Sequence, residues 1–362
     1  MRVAIEAASL ASGTGGLARY TTQLSLALAR AFPEDRYALI SDQPFPLPDG
    51  APPNLERAAG PRGAIERRWW LWGCEQAAAR WGAEAVHGPD FAVPYLARRP
   101  SVMTVHDLSP WMDPGWHSTA ARVRRRTPWL LRAGRATMVI VPARSVRRQV
   151  LERWRLEPDR VVAIAEAAAP WLLPVEAAAG PPAPTPYFLF LGTLEPRKNL
   201  ETLVEAWRVV RRGLAVDLVL AGRRRADGPL FAPEPGLRLA GEVPDSELAR
   251  LYSGAVALVY PSHYEGFGLP VVEAMQCGAP VIASPAVAEA AGDAACYFAG
   301  ANDLAEAMRR MASDAQWRAN WREKSLGRAA EFSWERTARR TREIYREAIE
   351  RFGEFAGCRG EN

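Results

Sequence analysis

Short apolar runs recur along the first half of the chain, at residues 2–8 (RVAIEAA), Tyr37–Ser41, Ala85–His87, Ser101–Val105 and Met138–Val141, each followed by a longer stretch. The first is followed by a glycine-rich turn, SGTGGLARY, and an apolar stripe with helical spacing that runs to about Ala31. Strands alternating with helical segments predict βαβ units and a parallel sheet. The stretch PWLLPVEAAAGPPAPTP (170–186) interrupts this order: it is proline-rich, lacks periodicity and has the composition of a linker. Beyond it the alternation restarts with YFLFLGTLEPRKN, continues through VDLVLAG, LRLAG and AVALVYPS, and adds the short runs VIAS and ACYF. A second α/β sheet of similar size is therefore expected. The chain closes on one long amphipathic segment, FSWERTARRTREIYREAIERF (332–352), and no repeat of 20–50 residues is visible. The expected division is a Rossmann-like domain over 1–172, a linker over 173–186, a second Rossmann-like domain over 187–336 and a helical segment over 337–362 that packs back toward the first domain.

Length supports two domains, because 362 residues exceed the size at which a single core usually stops growing. A 48% apolar content excludes disorder. The formal charge is only +5, but its carriers are uneven: nearly all basic residues are arginine, and the only lysines are Lys198 and Lys324. A lysine inside a motif therefore stands out. The four cysteines, Cys74, Cys277, Cys296 and Cys358, have no C-x-x-C spacing, which speaks against a zinc site or disulfide framework. A reduced, cytoplasmic setting is expected, since the chain opens directly on a strand and no apolar run approaches the roughly 20 residues that span a bilayer.

Five stretches carry candidate chemistry at strand ends. In SGTGGLAR, Gly13, Gly15 and Gly16 either form a tight turn or let the backbone approach an anion. In TVHDLSP, His106 either donates to a ligand oxygen or satisfies a core hydrogen bond. In GTLEPRKN, the adjacent cations Arg197 and Lys198 can hold a diphosphate, or form a solvated surface pair. In AGRRR, Arg223 is best placed to face a crevice, with solvation the alternative. The fifth stretch, HYEGFGLPVVEAMQCGAP, sets Glu265 in a loop and Glu273 in a helix expected over Pro270–Gly278, whose free N–H groups suit an anion.

Together these stretches, with GEVPDSELARLYSGA and FSWERTARRT, resemble the family-four glycosyltransferases, retaining enzymes of the GT-B fold, over nearly the whole chain. The form of the E-x7-E motif, EGFGLPVVEAMQCGAPV, carries the resemblance most specifically. GTLEPRKNL is similar to the branch rich in mannosyltransferases and related hexosyltransferases of bacterial polysaccharide synthesis. The resemblance implies two Rossmann-like domains facing a central cleft, the first binding acceptor and the second a nucleotide sugar. It places Glu265 against the donor sugar and Glu273 on the ribose. Lys198 falls on the diphosphate, with Gly266, Phe267, Gly268 and Leu269 offering backbone N–H groups to sugar and diphosphate. Gly15 and Gly16 would face the donor phosphates or the acceptor, and His106 the C6 side of the sugar.

The chemistry is consistent with those roles. Breaking a sugar–phosphate bond leaves extra negative charge on a nucleoside diphosphate, which cations and oriented N–H dipoles stabilise. Lys198, Arg197 and the helix start supply them. No D-x-D motif occurs, so transfer is expected to need no metal and no cofactor besides the donor, with GDP-mannose first and UDP-glucose or a UDP-N-acetylhexosamine behind it. Retention would follow from front-face attack, the leaving phosphate helping to take the acceptor's proton.

Three positions depart from the family pattern. Thr193 stands where many members carry an arginine, so Arg197 either substitutes or points elsewhere. The segment after Ser284 is short and leaves Glu289 as the candidate nucleotide contact. AIAEAAAP (163–170) replaces a glycine-containing segment. Residues 1–180 hold 23 arginines against 17 acidic residues. The segments ERRWWLW (66–72) and ARVRRRTPWLLRAGR (121–135) mix arginine with tryptophan or leucine, as suits an anionic membrane interface and a lipid-linked saccharide acceptor at the inner face of the cell membrane. Core tryptophans with a solvated arginine face are the alternative. No nucleic-acid-binding module is recognisable. A nucleotide-sugar-binding protein without transferase activity, and an epimerase of the same fold, are the competing functions.

Overall fold

The computed structural model describes residues 1–13, 15–117, 120–175 and 185–360. Most of the proline-rich linker, and Thr14 of the first glycine turn, lie outside the described residues. The chain separates into two compact units. The first comprises Met1–Met112, His117–Glu166 and the chain from Ser333 onward; the second comprises Asp113–Trp116 and Ala167–Phe332.

The first unit is built on seven parallel strands: β1 (Arg2–Glu6), β2 (Arg36–Ile40), β3 (Leu55–Arg57), β4 (Ala85–Gly88), β5 (Ser101–Thr104), β6 (Met138–Val141) and β7 (Val161–Ala163), in the order β3-β2-β1-β4-β5-β6-β7. The central strands are continuous apolar runs because helices cover both faces of a parallel sheet; every residue of β4, β5 and β6 is buried. β1 is shorter than the run RVAIEAA suggests. It ends at Glu6, and Ala8–Ser12 wind into a 3₁₀ turn that leads to helix Gly16–Ala31.

The last helix, Trp334–Gly360, belongs to the first unit. Its Trp334, Ala338, Thr341, Tyr345 and Ala348 recur at helical spacing and are buried. Tyr345 Oη lies 2.8 Å from His87 Nδ1, and Arg342 Nε donates to Asp35 Oδ2 at 2.6 Å. Burial holds His87 far below its usual pKa, at about 3, so it sits in the core as a neutral ring.

The second unit carries six parallel strands: β8 (Tyr187–Leu191), β9 (Asp217–Ala221), β10 (Leu237–Gly241), β11 (Ala257–Tyr260), β12 (Val281–Ala283) and β13 (Ala295–Tyr297), ordered β10-β9-β8-β11-β12-β13. Its core gathers Phe188, Phe190, Trp207, Leu220 and Leu258. In each sheet the strand order reverses once, between β1 and β4 and between β8 and β11. In open α/β sheets, ligands bind beyond the carboxyl ends of strands at that switch point. Among the described residues, no helix is long and apolar enough to cross a membrane.

Candidate active site

The loops that leave β8 and β11 flank the switch point of the second sheet. Pro196 opens a single 3₁₀ turn, Pro196–Lys198, and Asn199 ends it in the left-handed region at φ 53°. Asparagine tolerates that conformation better than most residues. Its Nδ2 donates to the Pro261 carbonyl at 3.3 Å, and the His263 N–H donates to the Arg197 carbonyl at 2.9 Å. The two loops are thereby stitched together, and their charged side chains meet.

Glu265 receives both cations: Lys198 Nζ at 2.6 Å on Oε1 and Arg197 at 3.0 Å on Oε2. Arg197 also donates to Glu195 Oε1 at 2.8 Å and to the Tyr264 carbonyl at 2.8 Å. Lys198 donates further to Tyr260 Oη at 3.0 Å. An ammonium has three N–H bonds, and these two acceptors take two of them. Burial alone would raise Glu265, but Arg197 and Lys198 outweigh it and hold the carboxyl at about 2. Lys198 is lowered, its desolvation outweighing the attraction of Glu265. The result is a buried, preorganised charge cluster in which two of the three lysine N–H bonds have acceptors.

Glu195 extends the cluster by accepting from Arg225 at 2.6 Å, and Arg225 also pairs with Asp227 and donates to the Trp116 carbonyl. Trp116 stacks on Tyr264 with ring centroids 6.3 Å apart. Arg225 is thus the arginine of the AGRRR stretch that joins the cluster, whereas Arg223 is exposed. Arg223 and Thr193 lie in adjacent turns, because the Leu194 N–H donates to the Arg223 carbonyl at 3.0 Å. Gly222 permits this: a Cβ there would stand 2.1 Å from the Gly192 carbonyl oxygen. Glu195, Tyr260 and Arg225 are not singled out by sequence reasoning. Glu195 and Arg225 had visible cues, their places in GTLEPRKN and AGRRR, whereas Tyr260 had none.

The helix after Glu265 begins at Leu269 rather than Pro270, so proline occupies its second position, and it ends at Gln276. Gly268 caps it at φ 100°, with no side-chain capping hydrogen bond. A Cβ on Gly268 would meet Val287 Cγ1 at 2.7 Å, so only glycine fits. The Gly266 and Phe267 backbone leads into this start, while the Phe267 ring packs edge-on against Phe332. Glu273, one turn into the helix, is wholly buried and accepts from Tyr252 Oη at 2.8 Å.

In the first unit, Gly15 (φ 96°) precedes helix Gly16–Ala31, and neither Gly15 nor Gly16 has any atom within 4 Å of a notional Cβ. The turn is open. His106 has both ring nitrogens engaged, Nε2 at 2.8 Å from the Pro89 carbonyl and Nδ1 at 3.1 Å from Glu166 Oε1. Both partners are acceptors, so this arrangement favours the protonated ring, which can donate from both nitrogens. Burial opposes that charge, but Glu166, by hydrogen bond and by charge, and Asp90 raise the histidine above its usual value.

Known proteins match both halves. A family model described as Glycosyltransferase Family 4 matches residues 14–167, and one described as Glycosyl transferases group 1 matches residues 185–314. The O-antigen chain mannosyltransferase B of Escherichia coli is 32% identical over 282 residues, covering 72% of this chain and 73% of that protein. Among solved structures, sucrose-phosphate synthase from Thermosynechococcus elongatus superposes with a TM-score of 0.73 at 24% identity, covering 96% of this chain and 99% of that one. Anabaena HepE in complex with UDP-glucose does so with a TM-score of 0.69 at 16% identity, covering 96% and 100%. On this evidence the chain belongs to the family-four glycosyltransferases, and its two parallel-sheet units are those of the GT-B fold.

Proposed function

We propose that this chain is a retaining hexosyltransferase that moves mannose from GDP-mannose to a glycan or lipid-linked saccharide acceptor in the synthesis of a surface polysaccharide. The observation that carries the chemistry is the Arg197–Lys198–Glu265 cluster at the switch point of the second sheet. The similarity to an O-antigen mannosyltransferase supports the sugar and the pathway class.

In this reading the nucleotide sugar lies along the second unit. Glu273 exchanges the Tyr252 hydroxyl for the ribose, and the N–H groups from Gly266 to Leu269 meet the diphosphate, with Thr193 and Arg223 in the adjoining turns. The bond from C1 to the diphosphate oxygen breaks, and its electron pair leaves with the nucleoside diphosphate. The uncommitted N–H of Lys198 takes that charge, while Glu265 holds the lysine and arginine in place beside the donor sugar. The acceptor oxygen bonds to C1 on the same face, and its proton passes to the departing phosphate. Neither a side-chain nucleophile nor a metal is required. His106 reaches the C6 side of the sugar by exchanging the Pro89 carbonyl for a hydroxyl, and Gly15 and Gly16 serve the donor phosphates or the acceptor. Trp129, half exposed on the arginine-rich helix Ala121–Arg132, suits contact with an anionic membrane surface.

The test is release of nucleoside diphosphate from GDP-mannose and from UDP-glucose, with and without acceptor. Release from GDP-mannose that depends on acceptor, with an α-linked product, is expected. Tight nucleotide binding without release from any donor would sink the transferase reading.

A further inference from the structure

The loops at the switch point of the second sheet hold more charge than the donor chemistry uses. Six side chains follow one another with alternating sign: Asp227, Arg225, Glu195, Arg197, Glu265 and Lys198. Arg225 Nη1 meets Glu195 Oε2 at 2.6 Å, and Arg197 Nη2 meets the other oxygen, Oε1, at 2.8 Å. Arg197 Nη1 then meets Glu265 Oε2 at 3.0 Å, and Lys198 Nζ meets Oε1 of the same carboxylate at 2.6 Å. The series runs inward. Asp227 and Arg225 have side chains 33% and 26% exposed, against 6% for Glu195 and 7% for Lys198. Arg225 has no part in the donor chemistry above.

Backbone geometry fixes Arg225 against Glu195. The turn that carries it is laid on the turn after β8: the Leu194 N–H donates to the Arg223 carbonyl at 3.0 Å, and the Arg225 N–H donates back to the Leu194 carbonyl at 3.1 Å. Gly228 closes the turn, its N–H donating to the Arg225 carbonyl at 2.9 Å. A Cβ on Gly228 would stand 2.0 Å from the Leu194 carbonyl oxygen, so the approach needs glycine. The Arg224 guanidinium holds the same turn through the Gly228 carbonyl at 3.1 Å. Asp227 engages Arg225 along its Nε and Nη2 edge, while Nη1 meets Glu195. One of three successive arginines is thereby aimed and held on two sides.

Glu195 bridges the two arginines, one on each oxygen. Without Arg225, Oε2 would lose its cation in a site of low exposure, where an unmet acceptor is costly and polar networks act as a unit. The carboxylate would then turn to put both oxygens on Arg197, the bidentate arrangement a guanidinium favours. Arg197 would be drawn off Glu265, and the Glu265 carboxylate would lose the partner that fixes its Oε2. Lys198 sits on the other oxygen of that carboxylate, so its ammonium would shift with it. Misplacement of a reacting group by about 1 Å costs up to about 10²-fold in rate, even when the substitution is remote.

We propose that Arg225 is a positioning residue of the active site: acting through Glu195 and Arg197, it fixes the Glu265 carboxylate and hence the placement of the Lys198 ammonium. The use made of Lys198 rests on the transferase reading, but the coupling from Arg225 to Lys198 does not. Arg225 touches neither donor nor acceptor, and no proton moves along the series; what passes is orientation and charge balance. A guanidinium is needed because two of its edges work at once, one on Asp227 and one on Glu195. An ammonium in its place is a point charge that meets Glu195 without setting the plane of the carboxylate.

Selective isotope labelling of the lysine Cε, read by NMR on the full-length protein, tests the coupling, because Lys198 and Lys324 are the only lysines. Lys324 is exposed over the Trp321 ring and serves as the reference. Arg225→Ala should shift the Lys198 signal and leave that of Lys324 in place, and Arg225→Lys should give an intermediate shift. In a Glu195→Gln background Arg225→Ala should move the Lys198 signal no further, since the arginine acts through that carboxylate. Turnover of the donor should follow the same pattern: kcat falls by about 10–10²-fold in Arg225→Ala with KM unchanged, and less in Arg225→Lys. A merely structural arginine would lower the melting temperature without that split or that dependence on Glu195. Where Arg225→Ala does not fold, Arg225→Lys carries the test, and an unmoved Lys198 signal there overturns the proposal. A parent protein that releases nucleoside diphosphate from no donor, yet shows the Lys198 shift and its dependence on Glu195, would sink the transferase reading and support the coupling. The proposal is overturned if Arg225→Ala leaves the Lys198 signal at its parent position, or if changes at Arg225 and Glu195 add independently.

Discussion

Lys198 Nζ lies 2.6 Å from Glu265 Oε1 with each side chain only 7% exposed, so the pair that anchors the candidate active site is also a buried ion pair of the second unit. Removing one partner of such a pair leaves an uncompensated charge, which costs about 3–5 kcal/mol. Lys198→Ala is therefore expected to lose stability on that scale, softened by the Arg197 contact, and to slow diphosphate release by about 10²–10³-fold. The double variant Lys198→Ala/Glu265→Ala should lose less stability than the two single changes added together. Denaturant unfolding with a coupled diphosphate assay measures both, and near-normal turnover in Lys198→Ala would remove the lysine from the mechanism.

Glu265 and Glu6 should give opposite pH dependences. Glu265 is depressed to about 2, so its stabilisation is full above the unfolded carboxyl pKa of 4.5 and drains away as pH falls through 2. Burial raises Glu6 to about 8, so its contribution is full below 4.5 and is lost as pH rises through 8. Urea unfolding across pH 3–9 should show the deficit of Glu265→Gln constant above about pH 4.5 and narrowing toward pH 3. Glu6→Gln should gain on the parent protein toward the alkaline end. A flat difference for either variant contradicts the assigned protonation state.

The parts of the fold legible in sequence were those buried on both faces. Met138–Val141 is an unbroken apolar run and forms β6 with the bounds its sequence suggests. β3, LER, and β7, VVA, are three-residue edge strands whose pairing depends on neighbours far along the chain, and no local pattern marks them. Within the site, Lys198 was visible because lysine is scarce here. Arg225 was not set apart from its neighbours, since three successive arginines look alike until the turn closed by Gly228 aims the third at Glu195. Likewise RVAIE reads as a strand and nothing more; that Glu6 ends it under a tryptophan is a tertiary fact.

Gly268→Ala should be costly for two separable reasons. A left-handed alanine costs about 1–2 kcal/mol, and overpacking against Val287 adds about 1–3 kcal/mol. Adding Val287→Ala should recover the second part and not the first. Nucleotide binding should weaken in both variants, because the helix start that φ 100° produces is displaced; melting temperatures with and without GDP measure it. Full recovery in the double variant would mean that the left-handed turn carries no cost.

Glu166→Gln should lower the midpoint of His106, followed by NMR of the imidazole. Its raised pKa means that the histidine's stabilisation is full below 6.5 and is lost as pH rises through the folded midpoint. The parent protein should therefore be relatively more stable than Glu166→Gln near pH 6 than near pH 9. An unmoved midpoint would mean that Glu166 does not hold the proton.

The chain leaves the first unit at Glu166 and returns to it only at Ser333. During synthesis the ribosome therefore finishes the second unit while the first still lacks the helix that covers Tyr20 and His87. Domains usually complete in the order in which they are made; here the half synthesised first is the half completed last. A nascent chain stalled before residue 333 would carry a closed second sheet and an uncovered first one, and the exposed face of the first is where a chaperone would be needed.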